Sequence, residues 1–120
     1  MLGGIVMEIQ FDQELLVELC KEAIEVPSPV GYYDEIHEWL IQKANEMGYE
    51  VWFDRKRTAY ITLEGESDQK QVCVGAHVDT LGCMVRHINA DGTIAMRNLG
   101  GVNYHSLDGE SVRVHTRRCV

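Results

Sequence analysis

The sequence is short of basic residues and of proline, and it has no long apolar run. Its 120 residues hold 11 Lys and Arg against 19 Asp and Glu, a net charge of −8. Nucleic-acid surfaces need clustered cations. Here the clusters are Arg55-Lys56-Arg57 and Arg117-Arg118, and three such residues make a turn more readily than a groove. No nucleic-acid partner is expected. No window approaches the roughly 20 apolar residues of a membrane span, so no membrane partner is expected either. Met1 to Val6 is too short for the apolar core of a signal peptide and has no cationic flank. These absences lead to the expectation of a cytoplasmic protein. The four cysteines include no C-x-x-C pair, which removes the zinc knuckle and the thioredoxin-type redox motif. Cys20 and Cys73 occupy apolar positions and are read as buried, reduced thiols. There is no repeat. There is also no glycine-rich phosphate loop leading into a helix, since Gly100-Gly101 runs into Val102-Asn103-Tyr104-His105. Ser106 and Ser111 lack a nucleophile setting.

What is present is 45% apolar, enough for one core in one domain or part of a larger one. From Asp12 to Glu25 the apolar positions Leu15, Leu16, Leu19, Cys20, Ala23 and Ile24 share a helical face, with Asp12 as cap. Val26-Pro27-Ser28-Pro29 stops that helix, and Val30 to Tyr33 is a loop. A second helix is predicted from Asp34 to Met47, with Ile36, Leu40, Ile41, Ala44 and Met47 inward and Gly48 as its stop. The period then changes from 3.6 to 2. Strands are predicted at 49–54, 58–64, 71–76, 84–88, 93–97 and 111–116, with a hairpin turn over Asn89-Ala90-Asp91-Gly92. Two helices and six short strands read as α+β, or as a mixed α/β sheet begun and not completed. Too few strands follow residue 77 to close a β module.

The stretch richest in chemistry is Val72-Cys73-Val74-Gly75-Ala76-His77-Val78-Asp79-Thr80-Leu81-Gly82. An apolar β-branched run ends in small residues and then presents His-x-Asp. The imidazole suits a borderline-soft cation such as zinc. The carboxylate suits a second ligand or the group that orients the ring. The simpler alternative for His77 is a strand-end histidine that caps a backbone carbonyl. His37 is read as a solvated residue on the polar side of the second helix. A site built from His87, His105 and His115 would need a fold that the pattern does not supply. Glu22, Glu25, Glu35 and Glu38 read as a solvated helix surface.

Four blocks in order resemble the N-terminal third of the glutamyl aminopeptidase and tetrahedral aminopeptidase family, some of whose members are labelled endoglucanase or cellulase. They are Pro27-Ser28-Pro29-Val30-Gly31-Tyr32, then Gly75 to Gly82. Met84 to Ile88 follows with Asp91-Gly92 and Leu99-Gly100-Gly101, and finally Leu107 to Val114. The resemblance implies residues 1–80 as the N-terminal portion of a zinc-exopeptidase-like α/β domain. Residues 81–120 would be the first strands of an inserted β-rich dimerisation domain. It implies a metal-dependent hydrolase that removes N-terminal residues from peptides with two divalent metals, zinc, cobalt or manganese, and that self-associates into homo-oligomers. His77 matches the first metal-ligand histidine, and Asp79 matches the catalytic-centre aspartate that orients it. The remaining ligands and the catalytic Glu-Glu pair lie downstream in the family. Thr80 stands where many members have Glu, and Lys56-Arg57-Thr58 replaces a common Gly-Asn turn.

One imidazole leaves most zinc positions to water, so the 120-residue chain alone is expected to be an inactive fragment. Two other expectations stand beside this one. The chain could be a non-catalytic, degenerate remnant that folds or self-associates, or a fragment of another co-catalytic zinc exopeptidase or deacylase.

Overall fold

The computed structural model describes residues 11–67 and 69–116. Among them lie two helices, α1 (Gln13–Glu25) and α2 (Asp34–Glu46), and four strands, β1 (Val51–Phe53), β2 (Ala59–Ile61), β3 (Gly82–Ile88) and β4 (Ile94–Leu99). A 3₁₀ turn at Tyr104–Ser106 follows. The strands form two antiparallel pairs, β1–β2 and β3–β4. The molecule is a small mixed α/β assembly in two units, divided between Thr80 and Leu81.

In the first unit, the Asp12 carboxylate accepts the Leu15 N–H at 3.0 Å and caps α1. Val26 leaves the helix in an extended conformation, as a residue before proline must. The expected apolar stripe of α1 buries no residue. A stripe is buried only when another apolar face lies against it, and the described residues supply too little of one. The link from α1 to α2 is polar instead: Lys43 Nζ and Trp39 Nε1 both donate to Glu22 Oε2, at 2.8 and 3.2 Å.

Helix α2 buries Ile36 completely and Ala44 nearly so, two of the five positions expected inward. Ile41 and Met47 are exposed, for the same lack of a covering layer. Its C-terminus closes as a Schellman motif. Gly48 at φ +82° lets its N–H reach Asn45 O at 3.0 Å while Tyr49 N–H reaches Ala44 O at 2.8 Å. Strand β1 then packs on α2 through the Phe53 and His37 rings, 4.4 Å apart.

The β1–β2 register pairs Val51 with Ile61, Trp52 with Tyr60 and Phe53 with Ala59, shorter strands than the sequence predicts. The Trp52 and Tyr60 rings stack at 4.2 Å. Arg55-Lys56-Arg57 does form a turn. Asp54 Oδ1 accepts the N–H groups of Lys56 and Thr58, each at 2.9 Å. Arg57 sits in the left-handed region at φ +67°. That backbone is uncommon for a residue other than glycine; here the Arg57 N–H donates to Asp54 O at 3.0 Å.

The strand expected at 71–76 is absent: those residues join no ladder, and Val72 and Val74 are each 90% exposed. A β-branched run becomes a strand only when neighbours take its N–H and C=O groups, and one with both faces apolar needs cover on both. The described residues provide neither.

In the second unit β3 and β4 pair from Gly82–Leu99 to Ile88–Ile94, with a bulge between Val85 and His87. The turn is the one predicted. Asn89 N–H donates to Thr93 O at 2.8 Å, and Asp91 Oδ1 accepts both the N–H and the hydroxyl of Thr93. The strand expected at 111–116 does not form, again for want of a paired neighbour. Arg117, Arg118 and Cys119 lie outside the described residues.

Candidate site at the end of the apolar run

Nothing in 71–76 holds His77 from the N-terminal side through a ladder. Its position comes from the other direction. Thr80 N–H donates to Ser28 O at 2.9 Å, and Ser28 Oγ donates to Val78 O at 2.7 Å. Pro29 and Thr80 form an isolated parallel bridge. Ser28 is fully buried, so its own end of each bond lies away from water, where an unmade one would be costly.

On this anchored stretch the two residues singled out by the sequence come together. His77 Nδ1 lies 3.2 Å from Asp79 Oδ1, with the His side chain 83% and the Asp side chain 42% exposed. A carboxylate at Nδ1 favours the proton on that nitrogen and leaves the Nε2 lone pair for a ligand. That is the arrangement an orienting carboxylate provides.

Among the described residues no three His, Cys, Asp or Glu side chains gather closely enough to hold a cation. The pair therefore fits one corner of a metal centre and does not make one alone, since a stable zinc site takes three or four protein ligands. His87, His105 and His115 form no such group; His87 Nε2 pairs with Asn89 Oδ1 at 2.7 Å.

Two expectations need correction. Cys20 and Cys73 are exposed rather than buried, because the helix face and the run that carry them lack a covering layer. Cys83 is half-buried, and all three are free thiols. His37 is not a freely solvated ring: it stacks against Tyr33 at 5.9 Å and Phe53 at 4.4 Å. Arg57 Nη2 approaches His37 Nδ1 at 3.5 Å, pairs with the Asp34 carboxylate, and lies over the Tyr33 ring at 5.5 Å. Burial, and then the Arg57 charge, push the His37 pKa below the usual histidine value. The sequence does not mark Ser28 as a contact to the His-x-Asp stretch. The signal that could find it is a small hydroxyl residue fenced by Pro27 and Pro29, whose fixed φ angles stiffen the loop on both sides.

The family model described as M42 glutamyl aminopeptidase matches residues 58–119. The chain is 35% identical over 100 residues to a Bacillus subtilis protein named "Putative aminopeptidase YhfE", covering 83% of this chain and 29% of that protein. It is 29% identical over 103 residues to the glutamyl aminopeptidase of Lactococcus lactis, covering 85% and 29% respectively. It is 30% identical over 102 residues to the lysyl aminopeptidase of Pyrococcus furiosus, covering 84% and 29%. The chain thus spans less than a third of the length of the curated relatives it matches. No solved structure matches it. Among the described residues, no helix is long and apolar enough to cross a membrane.

Proposed function

Because this chain belongs to the M42 glutamyl aminopeptidase family, we propose that it is the opening part of a metallo-aminopeptidase that removes N-terminal residues from peptides. Residues 1–80 contribute the start of the peptidase α/β domain. Residues 81–120 contribute the first strands of a β-rich insert through which the complete protein self-associates in the cytoplasm. His77 supplies one metal ligand through Nε2, and Asp79 fixes the ring from the Nδ1 side. Divalent cations, zinc, cobalt or manganese, would supply the polarisation of the scissile carbonyl and the acidification of water in such a centre. The further ligands and the general base belong to the part of the family's length that this chain does not span. By itself the 120-residue chain is inactive.

The observation that carries this reading is the 3.2 Å contact between His77 Nδ1 and Asp79 Oδ1, in a chain of this family. Its test compares the 120-residue chain with one extended through the rest of a family-length protein, each given zinc, cobalt or manganese after chelation. Release of the N-terminal residue from a short peptide is followed. The extended chain is expected to turn over and the short one not. His77→Ala in the extended chain is expected to lose both metal and activity. A folded, extended His77→Ala protein with full activity would overturn the assignment.

A further inference from the structure

Ser28 is not a reacting group in the scheme above, yet it is fully buried, and both of the bonds described above run to the His-x-Asp stretch. The two bonds differ in kind. The Oγ hydroxyl donates to the carbonyl of Val78 at 2.7 Å, and the main-chain carbonyl accepts from the N–H of Thr80 at 2.9 Å. Val78 C=O belongs to the peptide unit just before Asp79, and Thr80 N–H to the unit just after it. The backbone rotations of Asp79 therefore lie between two peptide planes that Ser28 holds. Extending from that fixed Cα, the Asp79 carboxylate reaches back to His77 Nδ1.

Local sequence makes Ser28 suited to this. A residue before proline is held in the extended region, which presents its carbonyl sideways as a strand would, and the parallel bridge between Pro29 and Thr80 follows. Pro27 and Pro29 bring no N–H groups of their own to compete for the Val78 carbonyl. The loop is closed behind by the Tyr32 N–H donating to Pro29 O at 2.8 Å, with Gly31 at φ +92°. The neighbouring run 71–76 joins no ladder. The orientation of the pair is thus set from the Ser28 side.

We infer that Ser28 is a positioning residue of the peptidase centre: its hydroxyl, bonded to the Val78 carbonyl, locks Asp79 and through it the orientation of the His77 ring. The role rests on the peptidase reading. The geometry it predicts is measurable on the 120-residue chain without metal or turnover, so the two can fail separately.

The test is a long-range proton–nitrogen NMR spectrum of the imidazoles, taken at mildly alkaline pH. It compares the wild type with Ser28→Ala, Ser28→Cys and Asp79→Asn. In the wild type, His77 is expected to carry its proton mainly on Nδ1. Asp79→Asn shifts that balance toward Nε2–H. Ser28→Ala is expected to reproduce the larger part of the Asp79→Asn displacement, and to speed exchange of the Thr80 amide by about two- to tenfold. His37, whose partners are Tyr33, Phe53 and Arg57, stays put and reports that the fold is intact. Ser28→Cys keeps the volume with a weaker donor and is expected to fall between wild type and Ala; it carries the test should Ser28→Ala not fold. A purely structural role would lower stability and leave the His77 nitrogen shifts of the folded protein unchanged. Unchanged His77 shifts in a folded Ser28→Ala or Ser28→Cys protein overturn the inference.

Discussion

Replacing Ile36 and Val74 in separate variants tests where this chain keeps its core. Both are aliphatic and β-branched, Ile36 on the apolar face of a predicted helix and Val74 in an apolar run, and from sequence alone both belong inside. Ile36 is fully buried, and Val74 is 90% exposed. Ile36→Ala removes methyl groups from a packed site and is expected to cost about 2–5 kcal/mol, and Ile36→Val about 0.5–1.5 kcal/mol. Full burial of a valine is worth about 1.5–3 kcal/mol, so the tenth of Val74 that is covered is worth about 0.15–0.3 kcal/mol on the same scale. Val74→Thr is therefore expected to be nearly silent. Urea unfolding followed by tryptophan fluorescence reads this directly, because Trp39 and Trp52 both lie in the first unit. With a slope of about 2 kcal/mol/M, Ile36→Ala moves the midpoint down by about 1–2.5 M and Val74→Thr by about 0.1 M. A Val74→Thr shift of about 0.5 M or more would mean that the run at 72–76 is packed in solution. That would refute the account of why it forms no strand.

Two further outcomes follow from side-chain and backbone geometry. The depressed pKa of His37 means that the unfolded chain takes up its proton first as pH falls. The contribution of the neutral ring is complete above the ordinary histidine value and is lost as pH drops through the lowered folded value. The urea midpoint of the wild type should therefore fall between neutral and mildly acidic pH, and His37→Phe should flatten that slope; an equally steep slope in the variant would show that other groups cause it. Gly100 has φ +79°, and a Cβ there would stand 2.7 Å from Leu81 Cδ2. Gly100→Ala is expected to destabilise the β3–β4 hairpin by about 1–2 kcal/mol. Gly101→Ala, with open space around it, should cost under about 0.5 kcal/mol; circular dichroism melts of the pair compare them, and equal melts would refute the claim.

Elements whose partners are adjacent in sequence were legible. The Asp12 cap, the Gly48 stop and the turn from Asn89 to Thr93 are local devices, and each lies where its residues predict. Strands β3 and β4 follow for the same reason, since a hairpin carries its own partner. Elements that need distant partners did not follow: 71–76 and 111–116 have β-type sequence and no ladder. The stripe of α1 has the right period and buries nothing. At the candidate site, His77 and Asp79 were visible because they sit one residue apart and contact each other. The reach of Ser28 across 50 residues to Val78, and that of Arg57 across 23 to Asp34, left no periodic trace in the sequence. The left-handed backbone of Arg57, at φ +67°, left no such trace either.

The bare run Val72-Cys73-Val74-Gly75-Ala76 has a colloidal consequence as well. It is short, uncharged, free of proline and open along its backbone, the composition from which intermolecular β-stacks nucleate. The net charge of −8 at neutral pH opposes such pairing by repulsion. That repulsion vanishes near the sequence pI of about 5.0. Precipitation should therefore be sharpest there and steep in protein concentration, and Val74→Asp, a charge set in the middle of the run, should suppress it at little cost to the fold.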